Sequence, residues 1–127
     1  MGGALVALAS LCAVAPLWAH HSTTAEFDIS KRFSMTGTLT KVDWVNPHIV
    51  VIVEVKGNGR TPQSWRFESN PPAWFRRVGV NRADFAKAIG QPVTVEGNPA
   101  KDGSSYGYLL KVTFPGGNSL ELVPDGR

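Results

Sequence analysis

From Phe33 onward, apolar and polar residues alternate in short runs, the period of half-buried strands. Met35, Gly37 and Leu39 share one face of the first run, Phe33 to Trp44. After Leu39 the phase slips by one residue, and Val42 and Trp44 take over that face. A slip inside one strand predicts a β-bulge or a strong bend, and Gly37 within the run predicts a bend or a close approach of another backbone. Asn46-Pro47 predicts a turn. Ile49 to Val55 is rich in β-branched residues and begins apolar on both faces, which predicts a central strand. Ser64 to Glu68 alternates again, Trp65 and Phe67 on one side, Arg66 and Glu68 on the other. Pro92 to Glu96, with Val93 and Val95 inward, is the next strand. Tyr106 to Phe114 follows, with Tyr106, Tyr108, Leu110, Val112 and Phe114 on one face. Ser119 to Val123 predicts a short last strand.

Between the third and fourth strands the period changes. Asn70-Pro71 predicts a helical turn, with Asn as cap and Pro at the first position, and with Trp74, Phe75 and Val78 toward the core. Asn81 caps a second short helix over Arg82 to Ile89, with Asp84 in its first turn, Phe85, Ala88 and Ile89 as its apolar stripe, and Gly90 as its stop. Three strands, a helical connection and two strands, the first strand long and bent, is the element order of an OB-fold: all-β, a five-stranded Greek-key barrel. Another small barrel or an open sandwich has a similar order.

The first twenty residues follow neither period. Residues 1–19 carry no charge, and Ala4 to Val14 is a nearly unbroken apolar run, the length of a signal-peptide core and too short for a membrane span. Ala19 suits the position before a cut, and the sequence turns polar at His20. Cleavage after Ala15 would leave Pro16 at the new end, so the cut is placed between Ala19 and His20. Leu11 before Cys12 does not fit a lipidation site. The expected organisation is a signal peptide at 1–19, an extended arm at 20–32, a barrel at 33–123 and a frayed tail at 124–127, in a periplasmic or secreted protein. No membrane span remains after cleavage.

The one cysteine, Cys12, lies in the leader, so the barrel relies on packing and has no thiolate ligand. The net charge of +3 and pI near 9.3 change little: apart from Lys31-Arg32 and Arg76-Arg77 the cations are scattered, as on a solvated surface.

His20-His21-Ser22, Glu26-Phe27-Asp28, the run Gly37 to Trp44, Asn46-Pro47-His48, Val93 to Gly97 and Ala100 to Ser104 stand in an order that closely resembles one family, the exported Gram-negative bacterial proteins grouped as domain of unknown function 6152. The resemblance spans about His20 to Phe114. It implies an exported small β-barrel and brings no function with it. Trp74-Phe75-Arg76-Arg77 falls where that family varies, so no specificity is carried over there.

All three histidines fall in two places: His20 and His21 at the expected mature N-terminus, and His48 in the first turn. A freed His20 offers its α-amine and its imidazole to one metal ion, and His48 is a third nitrogen if the arm folds back to it. A nitrogen-only set of this kind suits Cu(II), as in a histidine brace, with zinc as runner-up. His21 is the alternate ligand. The plain alternatives are a flexible cleavage context for His20 and His21 and a turn-capping role for His48. The carboxylates Asp43, Glu54, Glu68 and Glu96 point mostly to solvent by alternation, with Glu68 a cross-strand charge partner on the side of Arg66. No Ser-His-Asp order, phosphate loop or dinucleotide fingerprint occurs. Trp44, Trp65, Trp74, Tyr106 and Tyr108 read as core filling rather than a stacking platform, and an exported barrel argues against nucleic acid. The functional expectation is a non-enzymatic small-ligand barrel with copper as the sharpest ligand. The alternatives are an envelope-protein or glycan interaction module and, further off, a brace-type redox enzyme.

Overall fold

A computed structural model describes residues 22–57, 59 and 61–123. The expected signal peptide, His20, His21 and the tail from residue 124 lie outside the described residues. The elements are α1 (Thr23–Glu26), β1 (Phe33–Asp43), β2 (Val50–Val55), β3 (Gln63–Glu68), α2 (Pro72–Arg77), α3 (Arg82–Ala86), β4 (Pro92–Pro99), β5 (Tyr106–Thr113) and β6 (Ser119–Glu121). The sheet runs β3-β2-β1-β4-β5-β6, and a parallel β3–β5 pairing closes its first five strands into a barrel. The architecture is the expected OB-like one, with the helical connection between β3 and β4.

Two bulges interrupt the ladders of the barrel. In β1, Leu39 pairs with Val53 and Lys41 with Ile52, leaving Thr40 as the extra residue. This is the slip read from the sequence, and it lets Leu39 and Val42 both pack inward. Gly37 is the close approach: a Cβ there would sit 2.5 Å from the Glu54 carbonyl oxygen. In β5 a second bulge, unmarked by any glycine at that residue, leaves Leu110 extra between Leu109, opposite Gly97, and Lys111, opposite Glu96. The expected single stripe of Tyr106, Tyr108, Leu110, Val112 and Phe114 is therefore corrected. Leu109 and Val112 enter the barrel core, while Tyr106, Tyr108 and Leu110 face a separate small cluster outside it with Phe27 and Ala100.

The core is closed by the connection. Phe75 and Phe85 are buried, meet edge-to-face at 5.7 Å, and Trp44 lies over both. Val78 and Ile89, expected inside, are each about half exposed (49% and 46%). Both helices end before them, at Arg77 and Ala86, and the chain leaves helical phase. Val80 and Ala88 pack on the core instead. Asn70 is not the cap of α2. Pro71 holds that position, and the Asn70 side chain is buried between Tyr108 and the Val123 carbonyl. The cap of α3 is as read: Asn81 accepts from the Ala83 N–H (2.9 Å), and Asp84 accepts from the Asn81 N–H (2.8 Å). Asn81→Ala is expected to cost about 0.5–2 kcal/mol, measured by denaturant unfolding. A cost near zero would mean the connection adds nothing to barrel stability.

The arm expected to be extended starts with the single helical turn α1 and then docks on the barrel through a Phe27–Ala100 bridge. No helix among the described residues is long and apolar enough to cross a membrane.

Candidate functional site

His48 stands in the β1–β2 loop and Glu68 at the end of β3. They meet because the β2–β3 ladder runs on past its named ends. The Ser69 N–H donates to the Ile49 carbonyl (2.9 Å) and the Ile49 N–H to the Asn70 carbonyl (3.2 Å). The Ser69 hydroxyl adds a second bond to the Ile49 carbonyl (2.9 Å). Glu68 lies opposite Val50, and His48 stands just past Ile49 on the other side of this clamp, so the two are diagonal neighbours across the antiparallel strands. His48 Nδ1 and Glu68 Oε1 make an ion-pair contact at 2.5 Å, with the two side chains 29% and 17% exposed. The other oxygen of Glu68, Oε2, accepts from the Tyr106 hydroxyl.

Tyr106 comes from the start of β5, across the parallel seam, where it pairs with Arg66, while Tyr108 pairs with Glu68. The Arg66 guanidinium lies 5.8 Å from the Tyr106 ring centre. The result is a Tyr106–Glu68–His48 chain on the outer surface, over the line where the barrel closes. Burial, then the bond to Glu68 and the nearby charges of Glu68 and Glu26, hold the Tyr106 phenol well above its ordinary pKa, against a smaller pull from Arg66. Tyr106 is therefore a proton donor that stays protonated, and Glu68 is an acceptor held from two sides.

The chemical consequence falls on His48. A neutral imidazole carries one N–H and one lone pair. With Nδ1–H committed to Glu68, the lone pair is on Nε2, which has no partner among the described residues. A histidine whose far nitrogen is tied to a carboxylate is the arrangement that orients and strengthens metal-ligating imidazoles. It equally suits a hydrogen-bond acceptor for an uncharged ligand.

Of the three histidines singled out in the sequence, His48 is in this site, and His20 and His21 lie outside the described residues. Among the described residues, no three His, Cys, Asp or Glu side chains are grouped to hold a metal ion. Glu68 is a charge partner as read, with His48, but it does not point to solvent, because β5 arrives in parallel on its side of β3 and brings Tyr106 over it. The other strand acids behave as expected: Asp43 pairs with Lys41 (2.9 Å), and Glu96 with Arg32 (3.4 Å) and Lys111 (3.9 Å). The five large aromatics do not share a platform. Trp44 and Trp74 pack near Phe75, Trp65 on Phe33 and Phe67, and Tyr106 and Tyr108 around Phe27.

A model of one family of unknown function, DUF6152, matches residues 7–109. The chain belongs to that family. Comparisons with curated proteins and with solved structures found no match.

Proposed function

Starting from a family that assigns no activity, we propose that this is an exported, non-enzymatic binding barrel, cut between Ala19 and His20, that takes up Cu(II) at the Tyr106–Glu68–His48 site. His48 Nε2 is one ligand. The freed amine and ring of His20 are the others, with His21 as the alternate for His20. The observation that carries this reading is the 2.5 Å bond from His48 Nδ1 to Glu68, which leaves Nε2 as the donor atom. Nitrogen donors with no thiolate favour Cu(II), and zinc is the competing ion. Export supplies the compartment and, through the cut, the amine.

The test is a Cu(II) titration of the processed protein, its N-terminus checked by mass spectrometry. It runs beside His48→Ala, His21→Ala and a form with one extra N-terminal residue. Loss of affinity in both His48→Ala and the extended form is expected, at least as large as the about 10–100-fold that outer-sphere losses cost. Equal affinity in all four proteins overturns the site. A loss confined to His21→Ala moves binding to the N-terminal dipeptide and removes the barrel from it.

A further inference from the structure

The net charge of this chain sits in one place. Residues 69–91, the connection between β3 and β4, carry Arg76, Arg77, Arg82 and Lys87 against Asp84, a net +3. In the rest of the chain, nine Lys and Arg residues are balanced by nine Asp and Glu residues. The formal charge of +3 is therefore the charge of the connection. On the arm and the sheet, Lys31 pairs with Asp28, Arg32 and Lys111 with Glu96, and Lys41 with Asp43. Among the described residues, none of the four cations of the connection has such a partner. Its one carboxylate, Asp84, is turned onto the Asn81 N–H of the α3 cap.

The corner between α2 and α3 holds three of these cations outward. The Val80 N–H donates to the Phe75 carbonyl (2.9 Å) and the Gly79 N–H to the Arg76 carbonyl (3.1 Å), with Gly79 at φ +79°. This is the Schellman ending of a helix. It turns Val80 onto the core and leaves Arg76, Arg77 and Val78 exposed. Arg82, exposed at the start of α3, stands just after the cap that follows. An exposed valine is thus fixed among three arginines. The Val78 N–H bonds to the Trp74 carbonyl (3.3 Å), so Trp74 and Val78 share one face of α2. Trp74 is partly buried, edge-on to Phe75 at 5.1 Å.

We propose that this corner docks the protein on an anionic lipid surface, with Arg76, Arg77 and Arg82 on the lipid phosphates and Val78 and Trp74 entering the headgroup layer. Guanidinium groups match phosphate oxygens in a fork, and a tryptophan and an aliphatic side chain set among cations suit the boundary between water and lipid. Charge of a single sign fixes no register, as the interspersed charges of a protein interface do, and a lipid surface needs none. Because the rest of the chain is balanced, an anionic surface also turns the molecule corner first. This surface is distinct from the His48 site and independent of the copper reading.

The test is co-sedimentation of the processed protein with vesicles of phosphatidylcholine containing phosphatidylglycerol, beside vesicles of phosphatidylcholine alone. Binding to the anionic vesicles is expected, and it should weaken as salt is raised. Arg76→Gln with Arg77→Gln is expected to weaken it about 25-fold, about fivefold for each cation at the surface. Lys31→Gln with Arg32→Gln makes the same change in net charge elsewhere and should weaken it by less than about fivefold. Val78→Ser keeps the charge and should still weaken binding by about threefold or more. Circular dichroism checks that each variant is folded. Equal losses in the two charge pairs, or no loss in Val78→Ser, overturn the corner as the docking site. No binding to anionic vesicles overturns the lipid surface. Capture of polyglutamate by the same arginines in that case assigns the corner to an acidic protein instead.

Discussion

Phe67→Ala is expected to destabilise the barrel by about 3–5 kcal/mol, the range for truncating a fully buried phenylalanine. The Phe67 side chain is fully buried near the end of β3, stacks against Trp65 at 6.2 Å and Phe33 at 5.9 Å, and lies at the seam, where Phe67 pairs with Gly107. Its ring edge comes to 3.5 Å and 3.1 Å of where a Cβ would stand on Gly97 and Gly107. Those two glycines are the space the ring occupies. Neither neighbour has a side chain to collapse into the gap that alanine would leave, so the cost belongs at the upper end of the range. Denaturant unfolding measures it, as a lower midpoint at unchanged slope. A cost near 1 kcal/mol would show that the seam closes without the ring.

Glu68→Ala is expected to have its large effect on the site rather than the fold. It removes the acceptor of His48 Nδ1–H and of the Tyr106 hydroxyl at once. Cu(II) affinity should fall by about 10–100-fold, as for other lost outer-sphere partners, and Glu68→Gln, whose amide oxygen still accepts from His48, should recover part of it. A second readout needs no metal. Burial comes first and the Glu68 bond next among the causes that raise the Tyr106 pKa. Removing the carboxylate should therefore bring the phenol's ultraviolet titration down toward its ordinary value of about 10, though not all the way. The sign for stability follows. A raised folded-state pKa contributes stability that is present below the ordinary value and is lost as pH rises through the folded one. The wild-type protein should thus lose stability above about pH 10, and the variant should lose less there. An unchanged phenol titration together with unchanged affinity would remove Glu68 from the site.

Much of the barrel was legible in the chain, and the exceptions share a cause. The slip after Leu39 gave away the first bulge because apolar residues flank it and Gly37 marks the bend. The bulge at Leu110 was hidden because Tyr106, Tyr108 and Leu110 are as apolar as Leu109 and Val112. Two apolar faces in succession look like one stripe unless a second cluster is known to exist, and that cluster is built by Phe27, far away in sequence. His48 drew attention as a rare residue type after a turn. Glu68 did not, because what makes it special is a parallel neighbour, and parallel pairing between β3 and β5 leaves no local mark in either strand. Asn70 has the chemistry of a helix cap, and Pro71 took that place because the buried Tyr108 hydroxyl and the Val123 carbonyl claimed the side chain.

The extra residue at Leu110 also works as a parity switch. Everything in β5 before it presents even-numbered side chains to the arm, and the next core residue after Leu109 is the even-numbered Val112. Length is thus a coded quantity in this strand. Deleting one residue between Leu109 and Val112 would leave the composition almost intact. It would nevertheless remove the bulge and set Leu109 and Val112 two places apart, on one face by ordinary alternation. The protein crosses between its two clusters at this bulge. One backbone step separates the surface that holds its front end from the core that holds it together.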